Sequence, residues 1–161
     1  MKQALIIGCG NPLRGDDGLG WVVADRLSAV LTDPSVEIAW THQLTPELAE
    51  QASRAELVVI VDASHAGHPG SWKCVGIEVS KTETSKLGHH LTPSGLLAYA
   101  AAVYNFTPRM LVVSVAGGSF DCKEALAPEV EAAVPEVVRH ICEQIAVGCN
   151  KSRMTQVSLV A

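Results

Sequence analysis

A glycine-rich segment close to the N-terminus, residues 8–20, constrains the fold of this chain more than any other feature. It follows a short apolar run, residues 4–7, that is typical of a buried strand, and it precedes a segment whose apolar periodicity predicts a helix. Glycine and proline favour tight turns here, because glycine reaches positive φ freely and proline presets φ. The segment is therefore predicted to be a strand-to-helix loop at the carboxyl ends of the strands of an α/β sheet, where ligands bind.

The amino-acid sequence of this loop excludes two common phosphate-binding motifs. A dinucleotide loop needs G-x-G-x-x-G, but the sixth position counted from Gly8 is Leu13, and the G-K-[ST] of a P-loop is absent. The loop also ends in two adjacent carboxylates, Asp16 and Asp17, which would repel a phosphate at the start of the following helix. Carboxylates in this place favour a cation instead.

The composition predicts one globular domain. The chain has 161 residues, 48% of them hydrophobic and 18% charged, which is enough for a core of its own. We expect the domain to span residues 1–149 and residues 150–161 to form a loosely held C-terminal tail. The net charge of -5 provides no basic surface for nucleic acid, and no apolar run approaches the roughly 18 residues that a membrane span needs.

The start of the sequence and its cysteines favour a cytoplasmic protein. The apolar run after Met1 is too short for a secretory signal, and no small-residue cleavage site follows it. Five cysteines occur without a C-x-x-C motif, so neither a disulfide framework nor a thiolate zinc site is indicated. We expect most of them to be small buried hydrophobic residues.

Strands and helices are predicted to alternate along the chain. The strands predicted after the first are residues 36–40, 57–61 ending at Asp62, 72–79 and 110–115. The predicted helices are residues 19–31, a short one opened by Pro46, one from Pro93 to Val103 capped by Thr92, and one from Pro128 to Gly148 that Pro135 kinks or breaks. The loop after Asp62 is too short for a crossover helix, so the next strand is predicted to run antiparallel and the sheet to be mixed.

Three polar residues are predicted to meet at one edge of this sheet. The first and third strands leave the sheet at the same edge, and right-handed crossovers make them plausible neighbours. Asp17 in the first exit loop and Asp62 at the third exit can then share one cleft, with His90 arriving from the start of a helix. Two carboxylates and one imidazole suit a divalent first-row metal with open coordination positions, although an Asp at a strand end is also a common turn former and a His in a polar loop is commonly solvated.

Several short motifs follow one another along the chain between about Ala4 and Ile145. They are Gly8-x-Gly10-Asn11-x-Leu13-x-x-Asp16-Asp17-Gly18-x-Gly20, Val61-Asp62-Ala63 with Gly67 and Pro69-Gly70, His90-x-x-Pro93, and Leu126-Ala127-Pro128-Glu129-Val130. In their order and spacing these motifs resemble those of the [NiFe]-hydrogenase maturation endopeptidases. The resemblance implies a three-layer α/β/α fold with a five-stranded mixed sheet, mostly parallel with one antiparallel strand.

The resemblance also implies an activity, partner and site. The reaction is removal of the C-terminal extension from the [NiFe]-hydrogenase large-subunit precursor after nickel insertion, by a peptidase of the aspartyl type. The family pattern implies that Asp17, Asp62 and His90 contact the metal, and we assign the same three residues to catalysis. The nickel is expected to arrive with the substrate, although other divalent metals can occupy the site. The resemblance favours Asp17 over Asp16, which is expected to cap the following helix, and His90 over His89.

Two other functions stay open at this point. One is a cysteine peptidase with Cys9 as nucleophile and His90 as base, the pairing that such chemistry requires. The other is a metal-binding or chaperone-like module that holds the precursor without cutting it. Of the remaining histidines, His65 and His68 lie near the same predicted edge and can add contacts to the site. The sequence around His42 and His140 indicates no function for them.

Overall fold

The computed structural model describes residues 1–79 and 91–160, and the side chains of its last helix as far as residue 148. Within these residues every predicted strand and helix is present, and one turn of 3-10 helix, Gly15–Gly18, precedes the first helix. The strands are β1 (Lys2–Cys9), β2 (Val36–Thr41), β3 (Ala55–Ser64), β4 (Trp72–Ile77) and β5 (Arg109–Ala116). The helices are α1 (Leu19–Val30), α2 (Leu48–Ser53), α3 (Pro93–Tyr104) and α4 (Pro128–Val160).

The strands form one mixed sheet in the order β2-β1-β3-β5-β4. Neighbouring strands are parallel except β4, which runs antiparallel to β5. This confirms the predicted antiparallel strand, which followed from a loop too short to bring the chain back across the sheet. It also confirms that β1 and β3 are neighbours, with Gly8 opposite Val61.

β3 continues two residues beyond Asp62, which we expected to lie at its end. Asp62 is paired with Ser114 of β5, and Ser64 is paired with Ala116, so the sheet holds the chain past the carboxylate. The expected strand end was therefore wrong by two residues. Because Asp62 belongs to a strand rather than to a loop, its backbone is held by pairing with β5.

Helices cover both faces of the sheet and give the three layers that the resemblance implied. On one face, α1 and α4 pack against alternate residues of β3, such as Leu57 and Val59. On the other face, α2 and α3 pack against the residues between them, such as Val58 and Ile60. Both faces of β3 are buried, and this explains why its sequence is an unbroken apolar run rather than an alternating one.

The start of α3 follows the predicted capping pattern. Thr92 Oγ1 accepts a hydrogen bond from the Gly95 N–H at 3.0 Å, and Pro93 occupies the first helical position, where no N–H is needed. α3 therefore begins at a defined point immediately after this cap.

α4 is longer than the sequence predicted. We expected a kink or break at Pro135 and an end near Gly148. The helix does not break at Pro135 or end at Gly148, and it runs from Pro128 to Val160. A kink at Pro135 stays a prediction. Gly148 does not end the helix because an internal glycine costs only about 1 kcal/mol relative to alanine. Residues 150–160 are thus helical, while the domain boundary at residue 149 stays a prediction. Within the described residues, no helix is long and apolar enough to cross a membrane.

α1 lies so close to the sheet that only glycine fits at the contact. A Cβ atom on Gly20 would fall against the carbonyl oxygens of Cys9 and Val61, and one on Gly8 would fall against the carbonyl oxygen of Gly20. The backbones of α1, β1 and β3 therefore approach one another without intervening side chains. This contact holds the first turn of α1, and with it the 3-10 turn that carries Asp17, beside the strand ends.

Replacing Gly20 with alanine is expected to destabilise the protein by about 3 kcal/mol, because the added methyl group must push α1 away from two backbone oxygens. Urea unfolding would measure this loss. Gly148→Ala is the matched control, since a Cβ atom there meets nothing within 4 Å and alanine is favoured inside a helix. Equal stability of the two variants would contradict the tight contact.

Candidate functional site

A pocket of about 370 Å³ opens at the carboxyl ends of the parallel strands. Its walls come from β1, β3 and β5, from the loops after β1 and β2, and from the start of α3. The lining residues are Cys9, Gly10, Asp17, His42, Gln43, Leu44, Ile60, Asp62, Ala63, Ser64, Leu91, Pro93, Val112 and Ser114. The structure therefore places Asp17 and Asp62, two of the three predicted site residues, in one cavity.

Asp62 is half-buried and has a perturbed carboxyl group. Burial raises its pKa from 3.8 to about 6, against the effect of the Ala63 N–H, which donates to Oδ1 at 2.9 Å. The negative charge of Asp17 raises the pKa further, and the charge of His65 lowers it. The two carboxylates are thus close enough to affect each other, and Asp62 changes its charge near neutral pH.

Asp17 is positioned by the loop after β1. Its Oδ2 accepts a hydrogen bond from the backbone N–H of Asn11 at 2.9 Å, and the Asn11 side chain in turn accepts one from the Leu13 N–H at 3.0 Å. These bonds keep one carboxylate oxygen of Asp17 occupied within the loop. Among the residues that the structure describes, none donates a hydrogen bond to the other oxygen, Oδ1.

Asp16 does not cap α1, as we had expected, because the start of that helix receives no side-chain hydrogen bond. Its side chain is 0% exposed and reaches into the loop between β5 and α4. Oδ2 accepts from the N–H groups of Gly118 at 2.7 Å and Ser119 at 2.9 Å, and Oδ1 accepts from that of Ala127 at 2.7 Å. Asp16 therefore ties two loops together and is absent from the pocket lining.

Cys9 lies in the pocket wall but is only 3% exposed. Burial, followed by the negative charges of Asp62 and Asp17, raises the pKa of its thiol to about 12. A thiol that stays protonated at neutral pH is a poor nucleophile, so its surroundings disfavour the cysteine-peptidase alternative. The other described cysteines are less buried than expected, two being half-buried and one exposed: Cys74, Cys142 and Cys122.

The third predicted site residue, His90, lies outside the described residues, as does its alternative His89. Leu91 and Pro93, which follow His90 in the sequence, line the pocket. Within the described residues, no three His, Cys, Asp or Glu side chains are grouped so that they could hold a metal ion. The cluster of two carboxylates and one imidazole therefore stays a prediction.

His42 is a pocket residue that the sequence did not predict. It belongs to the loop after β2, which forms one wall of the pocket. The topology could have predicted it, because a strand that lies parallel to β1 ends at the same edge of the sheet, and His42 directly follows β2. His65, in contrast, stacks on Phe120 with ring centroids 3.9 Å apart, and neither His65 nor the exposed His68 lines the pocket.

A second cavity, of about 300 Å³, adjoins the first. The two share Ser64 and Ser114, and the second extends to Lys73 on β4. Ser114 is paired with Asp62 on one side and with Lys73 on the other. The combined cleft thus crosses four strands, which is enough for about four residues of an extended peptide.

Asp16→Asn is expected to destabilise the protein by about 2 kcal/mol. An amide presents one acceptor oxygen, whereas both carboxylate oxygens of Asp16 now accept backbone hydrogen bonds. Urea unfolding would show the loss, with Asp17→Asn as the matched control, because the amide oxygen there can keep the single bond to Asn11. If Asp17→Asn were the more destabilised variant, the structural role would belong to Asp17 instead.

Asp62→Asn is expected to stabilise the metal-free protein at neutral pH. The pKa of the carboxyl group is about 6 in the folded state and 3.8 in the unfolded state. Wild-type stability therefore falls as the pH rises from 3.8 to about 6, because the folded state binds the proton more tightly. The loss amounts to at most about 3 kcal/mol, and asparagine avoids it. Thermal melts at low and neutral pH would show a gain only at neutral pH. An Asp62→Asn protein that is less stable than wild type at neutral pH would contradict the raised pKa of Asp62.

Comparison with known proteins supports the resemblance of the motifs. No protein-family profile matches the chain. A curated relative, described as a putative hydrogenase maturation protease of Methanocaldococcus jannaschii, is 27% identical over 154 residues, covering 89% of this chain and 97% of the relative. The similarity therefore spans almost the whole of both proteins.

Solved structures of similar proteins have the same fold. The [NiFe] hydrogenase maturation protease HycI from Thermococcus kodakarensis superposes with a TM-score of 0.72 and 23% identity, over 90% of this chain and 93% of that one. The hydrogenase 2 maturation peptidase from a Thaumarchaeota archaeon has a TM-score of 0.68 and 26% identity, over 89% and 98%. The predicted fold and the predicted resemblance to hydrogenase maturation endopeptidases are thus confirmed.

Proposed function

We propose that this relative of the hydrogenase maturation endopeptidases is itself a peptidase, and that it removes the C-terminal extension of a nickel-loaded [NiFe]-hydrogenase large-subunit precursor. One observation carries the proposal: Asp17 and Asp62, which the motifs single out, line one pocket at the edge of the sheet where α/β folds bind ligands. The proposed setting is the cytoplasm, where unpaired cysteines such as Cys74 stay reduced.

The chemistry of the pocket suits a divalent cation that the precursor delivers. Two carboxylates share the pocket, and the charge of Asp17 contributes to the raised pKa of Asp62, so a cation between them would relieve their repulsion. Carboxylate oxygens bind nickel and other divalent ions alike. In this proposal nickel is part of the substrate. His90 is proposed as the third contact, because it directly precedes Leu91 in the sequence, and Leu91 and Pro93 both line the pocket.

Hydrolysis of the extension needs a base for water and a proton for the leaving amine. Water adds to the carbonyl carbon, its proton passes to a carboxylate, the C–N bond breaks and the nitrogen leaves with that proton. Asp62 suits this role, because in the absence of the ion its pKa of about 6 leaves it mostly ionised at neutral pH yet able to accept a proton. Asp17 and His90 then remain as contacts of the ion while Asp62 holds the proton. The ion would polarise the scissile carbonyl or the water.

The nickel-loaded precursor should be cut at protein concentrations at which the nickel-free precursor stays whole. Two carboxylates and one imidazole leave coordination positions open, so binding gains from an ion that arrives with the substrate. A tenfold preference needs only about 1.4 kcal/mol. Intact-mass measurement of both precursor forms after incubation would detect the lost extension. Asp17→Asn should weaken the preference, whereas Cys9→Ala, the matched control in the same pocket, should keep most of the processing activity.

Three outcomes would change the proposal. Equal cleavage of both precursor forms would remove the role of substrate nickel and point to a metal held by the enzyme. An inactive but folded Cys9→Ala protein would favour the cysteine peptidase. Binding of the precursor without any change in its mass would favour the non-catalytic module.

A further inference from the structure

The described part of the pocket contains both hydrogen-bond acceptors and hydrogen-bond donors that a substrate could meet. Asp17 and Asp62, when ionised, accept hydrogen bonds only. A peptide bond also presents a carbonyl oxygen, which needs a donor. Four of the side chains that line the pocket can donate such a bond: His42, Gln43, Ser64 and Ser114. Among them, His42 is the one whose ring is held by an aromatic neighbour.

His42 is held at the pocket by a tryptophan of α1. β2 ends at Thr41, and the backbone carbonyl of Thr41 accepts a hydrogen bond from Trp21 Nε1 at 3.0 Å. The Trp21 ring also lies against the His42 ring, with centroids 5.6 Å apart and planes tilted by 51°. The same side chain thus fixes the backbone before His42 and the orientation of its imidazole.

The imidazole of His42 has no hydrogen-bond partner within the described residues, and its side chain is exposed. Its position is therefore set by a ring contact that leaves the nitrogens available. Because two carboxylates already give the pocket negative charge, an incoming carboxylate is disfavoured as the partner of this donor. The neutral carbonyl of a peptide is the acceptor that fits.

We infer that His42 binds the substrate directly, by donating a hydrogen bond to a main-chain carbonyl of the precursor where it crosses the pocket. This inference rests on the proposed function, since it takes the precursor as the occupant. It assigns to His42 a substrate contact that is separate from metal binding, because within the described residues His42 forms no metal-holding group with Asp17 and Asp62.

Two substitutions separate the donor from the ring. His42→Phe keeps an aromatic ring against Trp21 but has no N–H, and His42→Gln keeps an N–H but has no ring. Loss of one such hydrogen bond is expected to lower kcat/KM for the nickel-loaded precursor about tenfold in His42→Phe, whereas His42→Gln should stay within about threefold of wild type. His68→Phe is the matched control, because His68 is an exposed histidine at the same edge outside the pocket lining.

Binding gives a second readout that does not depend on cutting. In an Asp62→Asn background, which is expected to leave the precursor whole, calorimetry should show a Kd for the nickel-loaded precursor about tenfold weaker with His42→Phe than with His68→Phe. Thermal melts should show that both variants fold, since both side chains are exposed.

The outcomes distinguish this inference from the proposed function. Unchanged cutting and binding in His42→Phe would overturn the inference alone, and so would a His42→Gln protein as defective as His42→Phe, because the ring rather than the donor would then matter. Binding without cutting by wild type would overturn the proposed function, and the inference would then be judged by the Kd values measured without Asp62→Asn. No binding of the nickel-loaded precursor by wild type would overturn both.

Discussion

Three backbone N–H groups converge on the buried carboxylate of Asp16, and the geometry of the pocket depends on that convergence. The loops after β1 and after β5 are held together by it, so the edge of the sheet keeps one shape. Because Asp16 and Asp17 are adjacent in a tight turn, the direction of the first side chain restricts that of the second. With Asp16 held in the neighbouring loop, Asp17 is left to the pocket. Two adjacent residues of the same type thus have different roles, Asp16 a structural one and Asp17 a candidate functional one.

The electrostatic environments of the carboxylates differ for the same reason. Asp16 is buried but receives three backbone hydrogen bonds, which compensate for the loss of water. Asp62 is less buried, yet it receives one backbone hydrogen bond and lies close to another negative charge. Burial raises the pKa of Asp62, and the charge of Asp17 raises it further. An unsatisfied charge in a cleft is a common property of groups that bind or react.

Local sequence rules predicted most of the fold but only part of the site. The apolar run of β3, the cap at Thr92 and the short loop before β4 act over a few residues, and each predicted its element. The bonds of Asp16 join residues 102 to 111 positions apart, and no local pattern contains them. The role of His42 depends on which strand lies beside β1, which is likewise a property of the assembled sheet. The continuation of α4 past Gly148 shows the converse limit, because a stop signal of about 1 kcal/mol is weaker than the helix around it.

The strand order β2-β1-β3 has a consequence for how such a site can change. From β1 the chain crosses one face of the sheet to reach β2, and it then returns past β1 to form β3. Connections therefore leave the neighbouring strands β1 and β3 in opposite directions, and a crevice opens between them at their carboxyl ends. The crevice is made by the path of the backbone rather than by any side chain in it. Substitutions in its lining can therefore alter what the crevice accepts while the crevice itself persists, so specificity can diverge among chains that share this topology.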